Sequence, residues 1–174
     1  LDVVGMVAAI LGNGTLTDSG ACNADINADG TLNILDVVAT VQSILGNRAD
    51  YASNVTINKT AEGATFNADG YVGGIQMTIN HGDDFSIEMT DKAMVADYRT
   101  EGNSTTLMVV NPESDELFIT EGNFTIETVV AAANGAYIDI SVPTAFSVSN
   151  AYPNPFNPTT TISYYILNSG HVMI

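Results

Sequence analysis

Basic side chains are scarce in this 174-residue sequence, which has 4 lysine and arginine residues against 20 aspartate and glutamate residues. The formal net charge of −16 argues against nucleic acid or an anionic membrane surface as a partner, because both attract positively charged proteins. No apolar run approaches the ~18 residues that a membrane-spanning helix requires. Cys22 is the one cysteine, so an internal disulfide framework is excluded. We expect its side chain to pack, buried, beneath the segment that follows.

Recognisable catalytic motifs are also missing. The sequence has no Gly-x-Ser-x-Gly elbow, no His-Glu-x-x-His pair, no phosphate-binding loop and no dinucleotide fingerprint. Several acidic residues, among them Asp69 and Asp97, could supply a glycosidase pair, but no spacing rule singles out two of them. Apolar residues make up 45% of the chain and charged residues 14%, so a folded core is expected. The sequence therefore predicts a folded protein that is not an enzyme.

Oxygen-bearing side chains recur at fixed intervals in residues 25–36, which read Asp-Ile-Asn-Ala-Asp-Gly-Thr-Leu-Asn-Ile-Leu-Asp. Calcium binds six to eight oxygen ligands, and a loop with oxygen donors at positions 1, 3, 5, 7, 9 and 12 supplies them. Gly30, at position 6, permits the sharp turn that such a loop needs. The predicted ligands are Asp25, Asn27, Asp29, Thr31 (through its carbonyl oxygen), Asn33 and Asp36. The alternative is an acidic surface loop of the kind that turns favour.

An internal duplication connects this loop to the start of the chain. The pattern Leu-Asp-Val-Val, followed by Ile-Leu-Gly-Asn, occurs at residues 1–13 and again at 35–47. Apolar residues at helical spacing predict helices over Asp2–Leu11 and Asp36–Leu45, each ended by Gly-Asn. Paired loop–helix units of this kind resemble dockerins, which are calcium-binding docking modules. The resemblance covers residues 1–48 and implies a first calcium loop upstream, in a longer parent polypeptide.

The same resemblance implies a partner-binding face. Dockerins carry partner-recognition residues at the end of each loop, and the matching residues here are Ile34 and Leu35, with Leu1 as part of the symmetry-related pair. These side chains are apolar, so we expect a hydrophobic contact with the partner. The alternative is a solvated, acidic pair of helices.

Short strands and turns dominate the next hundred residues. Alternation of apolar and polar residues predicts strands at 73–80, 85–89, 117–119, 124–127 and 136–142. Turn signals such as Asn111-Pro112 and Asn134-Gly135 separate these runs, as in an antiparallel β-sandwich. The order of the segments resembles a cohesin, through residues 72–79, 108–112 and 131–136. An immunoglobulin-like accessory domain of another kind is the alternative.

A proline-rich motif, Tyr-Pro-Asn-Pro-Phe-Asn-Pro, occupies residues 152–158. Prolines bias the chain towards extended and turn geometry, and the Thr-rich run that follows predicts a strand over Thr159–Leu167. Residues 145–174 resemble the start of the C-terminal sorting domain of type IX secretion substrates. The resemblance implies a secreted or cell-surface protein.

The expected fold class is α+β overall. It comprises a two-helix calcium-loop module (1–48), an antiparallel, immunoglobulin- or cohesin-like β-sandwich (51–144) and a C-terminal β segment (145–174). The implied function is calcium-stabilised protein interaction or scaffolding. The alternative is the non-catalytic C-terminal part of a secreted polysaccharide-degrading enzyme, whose catalytic domain would lie upstream.

The expected partner is a cohesin-like domain, in the same chain or in another. Docking between successive chains would give a homo-oligomer or a head-to-tail filament. The connection at residues 47–51 spans at most ~18 Å. We therefore expect compact packing of the two modules at their junction, or docking onto the next chain, rather than long-range folding back.

Overall fold

Three helices precede twelve strands in the described part of the chain. The computed structural model describes residues 2–46, 48, 50–143, 147–148, 151–155, 158–162 and 164–165. The helices are α1 (Val3–Leu11), α2 (Asp18–Ala24) and α3 (Ile34–Leu45). None of these three described helices has the length and apolar character that crossing a bilayer demands. The strands are β1 (Asn54–Lys59), β2 (Gly63–Ala68), β3 (Gly74–His81), β4 (Ser86–Met89), β5 (Ala93–Glu101), β6 (Ser104–Pro112), β7 (Glu116–Glu121), β8 (Phe124–Ala133), β9 (Ala136–Tyr137), β10 (Asp139–Ser141), β11 (Ser147–Val148) and β12 (Tyr164–Tyr165).

Ten of these strands form two five-stranded sheets. Sheet A has the order β10-β1-β2-β7-β4, and sheet B has the order β5-β6-β3-β8-β9. All pairings within the two sheets are antiparallel except that of β1 with β10, which is parallel. Apolar residues of both sheets share one buried cluster, so the sheets pack face to face. The predicted antiparallel β-sandwich is confirmed.

Alternation along the strands of sheet B produces two apolar faces rather than one. Leu107 and Val109 on β6 belong to the core between the sheets. Their neighbours Met108 and Val110 point to the opposite face and are also 0% exposed. A strand that is buried on both faces needs a second layer above it. In this protein the helices supply that layer.

Helices α1 and α3 lie on the outer face of sheet B and share a second core with it. Met108, Val110 and Ala132 are the sheet's fully buried members of this core. The helical members are Val3, Met6, Val7, Leu11, Ala24, Ile34, Val37, Val38 and Val41. We call residues 2–46 the helix unit and residues 51–143 the sandwich. The core of the helix unit is therefore completed by the sandwich.

The short connection between the two parts is compatible with this arrangement. Tyr51 forms a β-bridge with Tyr71, and Ala52 N donates to Tyr71 O at 2.9 Å. Only two residues separate Tyr71 from Gly74, where β3 of sheet B begins. The junction thus lies beside the face that the helices cover, and packing is compact as expected.

The two predicted helices are present, with small differences at their ends. Asp2 is the N-cap of α1, its carboxylate accepting from Val4 N at 3.1 Å, and α3 begins two residues before Asp36. Gly12 ends α1 in the left-handed conformation, with φ +78°. The intervening helix α2 was not predicted, because its residues lack apolar periodicity. Cys22 lies on α2 and is exposed, so the prediction that it is buried is wrong.

Strand predictions for the sandwich hold in outline and fail at two places. Asn134 and Gly135 make the predicted hairpin turn, with φ +51° and +69°. The Asn111-Pro112 turn is wrong, because these residues end β6 and the chain turns after them. The run at 136–142 is two strands in different sheets, β9 and β10, rather than one. Strands β1, β2 and β5 were not predicted.

Few of the C-terminal residues fall within the described part of the chain. Strands β11 and β12 pair antiparallel, and Tyr152 forms a β-bridge with Thr161. The described portion of the predicted 159–167 strand contains only Tyr164–Tyr165 as a strand. Residues 163 and 166–174 lie outside the described part of the chain.

Candidate calcium loop and helix-docking surface

Residues 25–36 fold into a loop held together by its own side chains. The Asp25 carboxylate accepts from Asp29 N at 3.1 Å and from Gly30 N at 2.9 Å. Gly30 has φ +83°, in the region that favours glycine, and no atom would lie within 4 Å of an added Cβ. The constraint at Gly30 is therefore conformational rather than one of space. Ala28 also has a positive φ, +56°, which tightens the same turn.

Successive side-chain oxygen atoms bend the middle of the loop. Asn27 Oδ1 accepts from Asp29 N at 3.0 Å, and Asp29 Oδ1 accepts from Thr31 N at 2.8 Å. Asn27 Nδ2 donates to Asp29 Oδ2 at 2.8 Å, and Asn33 Nδ2 donates to Thr31 O at 3.1 Å. Each carboxylate or amide oxygen can accept more than one bond, so these contacts leave lone pairs for a further ligand.

Asp36 closes the loop and is fully buried. Its Oδ1 accepts from Ile26 N at 2.9 Å and from Asn27 N at 3.4 Å, and its Oδ2 accepts from Asn33 N at 3.0 Å. The side chain is 0% exposed. Asn33 caps α3 by accepting from Leu35 N, and the Asp36 carboxylate in turn accepts from Asn33 N, which completes a capping box. One buried carboxylate therefore holds both ends of the loop to the start of α3.

The oxygen atoms of this loop match the chemistry that calcium prefers. Three carboxylates, two side-chain amides and one main-chain carbonyl make up the predicted set, all hard oxygen donors. Within the described residues, no three His, Cys, Asp or Glu side chains lie close enough to hold a metal ion by themselves. A calcium shell here would thus depend on amide and carbonyl oxygen atoms as well as on carboxylates.

Two glycines form the part of sheet B on which α3 lies. A Cβ added to Gly74 would lie 2.8 Å from Ile34 Cδ1, and one added to Gly73 would lie 2.6 Å from Val38 Cγ1. Any larger residue at either position would therefore require these side chains of α3 to move. We use the name docking seat for Gly73 and Gly74 together with Met108, Val110 and Ala132.

The predicted partner-binding residues take different positions. Ile34 is 1% exposed and lies on the docking seat of its own chain. Leu35 is partly buried and packs at the margin of the same core. Leu1 lies outside the described residues. A separate protein could reach Ile34 only if the helix unit left the sheet.

Polar contacts fasten the far end of α1 to strand β5. The Arg99 guanidinium donates to the carbonyl oxygen atoms of Gly12 and Leu11, at the end of the helix, and forms an ion pair with Glu101. A cation at this position also interacts favourably with the helix dipole. Asn13 Nδ2 donates to Tyr98 O at 2.9 Å. The contacts between α1 and β5 could not be predicted from the sequence, because they join residues more than eighty positions apart.

An aromatic cluster fastens the junction. The Arg48 guanidinium lies 4.1 Å from the centre of the Tyr71 ring, and Arg48 N donates to Tyr51 Oη at 2.8 Å. Tyr71 Oη donates to Asn111 Oδ1 at 2.6 Å. Burial raises the pKa of the Tyr71 phenol, while the charge of Arg48 acts in the opposite direction. Asn111 has φ +49° and is buried, so the residue that we predicted in a turn instead anchors this cluster.

Acidic residues of the sandwich form hydrogen bonds that hold loops. Asp69 Oδ1 accepts from Ser53 N at 2.7 Å and from Asn54 N at 2.9 Å, just before β1. These bonds, with those from Asn54 foremost, lower the pKa of the Asp69 carboxyl. Asp83 accepts from the Asn103 side chain at 3.0 Å. Both residues have structural contacts that account for their positions.

Comparisons with known proteins identify two solved structures with a partly similar fold. A non-cellulosomal cohesin from the hyperthermophilic archaeon Archaeoglobus fulgidus is 12% identical, with a TM-score of 0.36 over 53% of this chain and 86% of that chain. A cohesin module from a Clostridium perfringens ATCC13124 family 33 glycoside hydrolase is 12% identical, with a TM-score of 0.29 over 55% and 96%. No protein-family model and no curated protein matches the sequence.

Proposed function

We propose that this chain is a non-catalytic, calcium-stabilised protein-interaction module of a secreted or cell-surface protein. The observation that carries the proposal is the environment of Asp36, a fully buried carboxylate inside a loop of oxygen donors. The loop leads directly into α3, the helix that lies on the docking seat. Calcium bound in the loop would therefore stabilise the element that makes the contact.

Charge balance supports a bound cation. Residues 1–47 contain five aspartates and no lysine, arginine or histidine. Three of the five aspartates lie within the twelve-residue loop, and like charges at short range destabilise it. The main-chain N–H groups around Asp36 offset part of the cost of burying a carboxylate, but they add no net charge. A divalent cation from solution would supply that charge.

The residues that would hold calcium are Asp25, Asn27, Asp29, Thr31, Asn33 and Asp36. Calcium, when bound, neutralises the carboxylates and links the two ends of the loop. Asp36 orients the start of α3 through the capping box, which places Ile34 over Gly74. Through these contacts the loop controls the position of α3, the helix that packs on the docking seat.

A role in interaction rather than catalysis agrees with the placement of the acidic residues. Asp69 and Asp83 are engaged with backbone or amide groups in loops of the sandwich. A glycosidase needs two carboxyl groups facing each other across a substrate cleft. The outer face of sheet B, by contrast, is covered by helices α1 and α3, an arrangement that supports a role in contact between elements.

A calcium titration of the full chain tests the proposal. Binding to the folded loop adds RT ln(1 + [Ca]/Kd), about 2.7 kcal/mol at a hundredfold excess over Kd. We expect calorimetry to record binding and the melting temperature of the helix unit to rise. Asp29→Ala should abolish both effects. Asp18→Ala, which removes an exposed aspartate of the helix unit outside the loop, is the matched control and should keep them.

Unchanged melting and circular dichroism on addition of calcium or chelator would contradict the calcium assignment. Loss of the effect in Asp18→Ala as well as in Asp29→Ala would contradict the loop as its location.

A further inference from the structure

We infer that the docking seat is an interaction surface whose partner is helix α3 of a second copy of this chain, so that two chains exchange helix units. The inference rests on the proposed interaction function and names its partner. In the monomer described above the seat is occupied by the chain's own α3. In the exchanged dimer each seat receives the same helix from the neighbouring chain.

The shape of the seat is specific for this helix. Gly73 and Gly74 present bare backbone, and the space above them is filled by Val38 and Ile34, which lie four residues apart on one face of α3. With the added-Cβ distances at 2.6 and 2.8 Å, even alanine at these positions would require the Val38 or Ile34 side chain to move. A surface that accepts a helix so closely fits the helix already seated on it. A second copy carries that helix unchanged.

The chemistry of the seat is equally selective. Met108, Val110 and Ala132 are each 0% exposed beneath the helices, so an empty seat would present a contiguous apolar surface to water. The helix unit would likewise expose apolar surface without the sheet. Its buried residues face the sheet, and without the sheet its core is open on one side. Each part therefore buries apolar surface of the other, whichever chain supplies it.

The connection makes exchange possible at small cost. Residues 46–50 join α3 to the bridge between Tyr51 and Tyr71, and five residues extended reach ~18 Å. An exchanged pair re-forms the contacts of the seat and of Arg99, and only the junction must change. Exchange of an identical element is a low-cost route to a dimer. The proportion of dimer should thus rise with protein concentration.

Complementation between two full-length variants tests the inference. Gly74→Leu blocks the seat and leaves the helix unit intact, whereas Ile34→Asp damages the helix and leaves the seat intact. We expect each variant alone to be monomeric. An equimolar mixture in calcium should give a complex of twice the monomer mass by light scattering, because one chain supplies the helix and the other the seat.

Matched controls use the same substitutions away from the seat. Ile44→Asp changes a residue of α3 that is 61% exposed, and Gly82→Leu changes a glycine whose added Cβ would meet only the Asp84 carboxylate. Both controls keep the seat and the helix of the unmodified chain, so their mixture should form only the dimer fraction that the unmodified chain forms at the same concentration. A dimer fraction at least tenfold higher in the seat-variant mixture than in the control mixture is the expected result.

A mixture that stays monomeric, with both variants retaining the β-sheet signal by circular dichroism, would overturn the inference. Refolding the unmodified chain at increasing concentration gives a second measurement that needs no variant, and a monomer at every concentration would also overturn it. Either outcome leaves the calcium titration as it stands, so failure of exchange is distinguishable from failure of the proposed function.

Discussion

The sandwich encloses a core between two sheets, whereas the helix unit completes its core on the outer face of sheet B. The four basic residues of the chain, Arg48, Lys59, Lys92 and Arg99, all lie outside the helix unit. Two of them nevertheless contact residues at its borders, Arg99 at the end of α1 and Arg48 at the junction. The helix unit thus depends on the sandwich for apolar surface and for cations. Among the described residues, the sandwich core includes no helical one.

This asymmetry predicts that truncating a core side chain of the sandwich unfolds both parts, whereas truncating one of the helix unit unfolds only the helix unit. Phe118→Ala removes a ring that is 1% exposed between the sheets and should cost about 3–5 kcal/mol, unfolding the sandwich and the helix unit together. Met6→Ala removes a side chain that is also 1% exposed, and should cost about 2–5 kcal/mol. Its effect should be confined to the helix unit. Hydrogen exchange resolved by segment measures both.

Protection of the sandwich in Met6→Ala should therefore remain close to that of the unmodified chain. A uniform loss of protection across both parts in Met6→Ala would show that the chain unfolds as one unit, and the asymmetry would be wrong.

Polar contacts at the border give the next largest expected effect. Arg99→Met retains the apolar stem but removes the bonds to the Gly12 and Leu11 carbonyls, and should cost about 1–2 kcal/mol. Opening of the helix unit should rise, as measured by exchange of the α1 amides. Lys92→Met, at an exposed position of the sandwich, is the control. Equal opening in both variants would show that Arg99 contributes only its charge to the chain as a whole.

Sequence patterns predicted the regular elements well where the period was strong. The duplicated Val-Val and Ile-Leu pattern gave α1 and α3, and strict alternation gave β3, because each pattern reports which side of the element is buried. The apolar run at residues 107–110 of β6 is consistent with burial on both faces, but it does not show that helices form the layer above it. That layer depends on tertiary contacts with the helices, which are distant in the sequence.

For the candidate site, the spacing in residues 25–36 identified the loop but not its burial. Asp36 could be predicted as the closing residue, since position 12 follows from counting. Its complete burial depends on Ile26, Asn27 and Asn33 bringing three N–H groups to one carboxylate. The docking seat was even harder to predict from the sequence. Gly73 and Gly74 were read as the start of a strand, and nothing local indicates that a helix lies over them.

The smallest expected effect is a pH dependence that belongs to the sandwich alone. Hydrogen bonds from Asn54 and Ser53 lower the pKa of the Asp69 carboxyl in the folded state. A lowered folded-state pKa contributes stability above the ordinary carboxyl pKa, and that contribution is lost as pH falls through the folded value. Asp69→Asn should remove this acid-side component while keeping one oxygen acceptor for the two backbone N–H groups. Unfolding is measured in calcium-free buffer between neutral and strongly acidic pH, so that calcium binding does not contribute to the profile. Asp91→Asn, an exposed aspartate of the sandwich, should keep the full profile. Identical profiles for both variants would mean that the bonds to Asp69 do not distinguish the folded from the unfolded state.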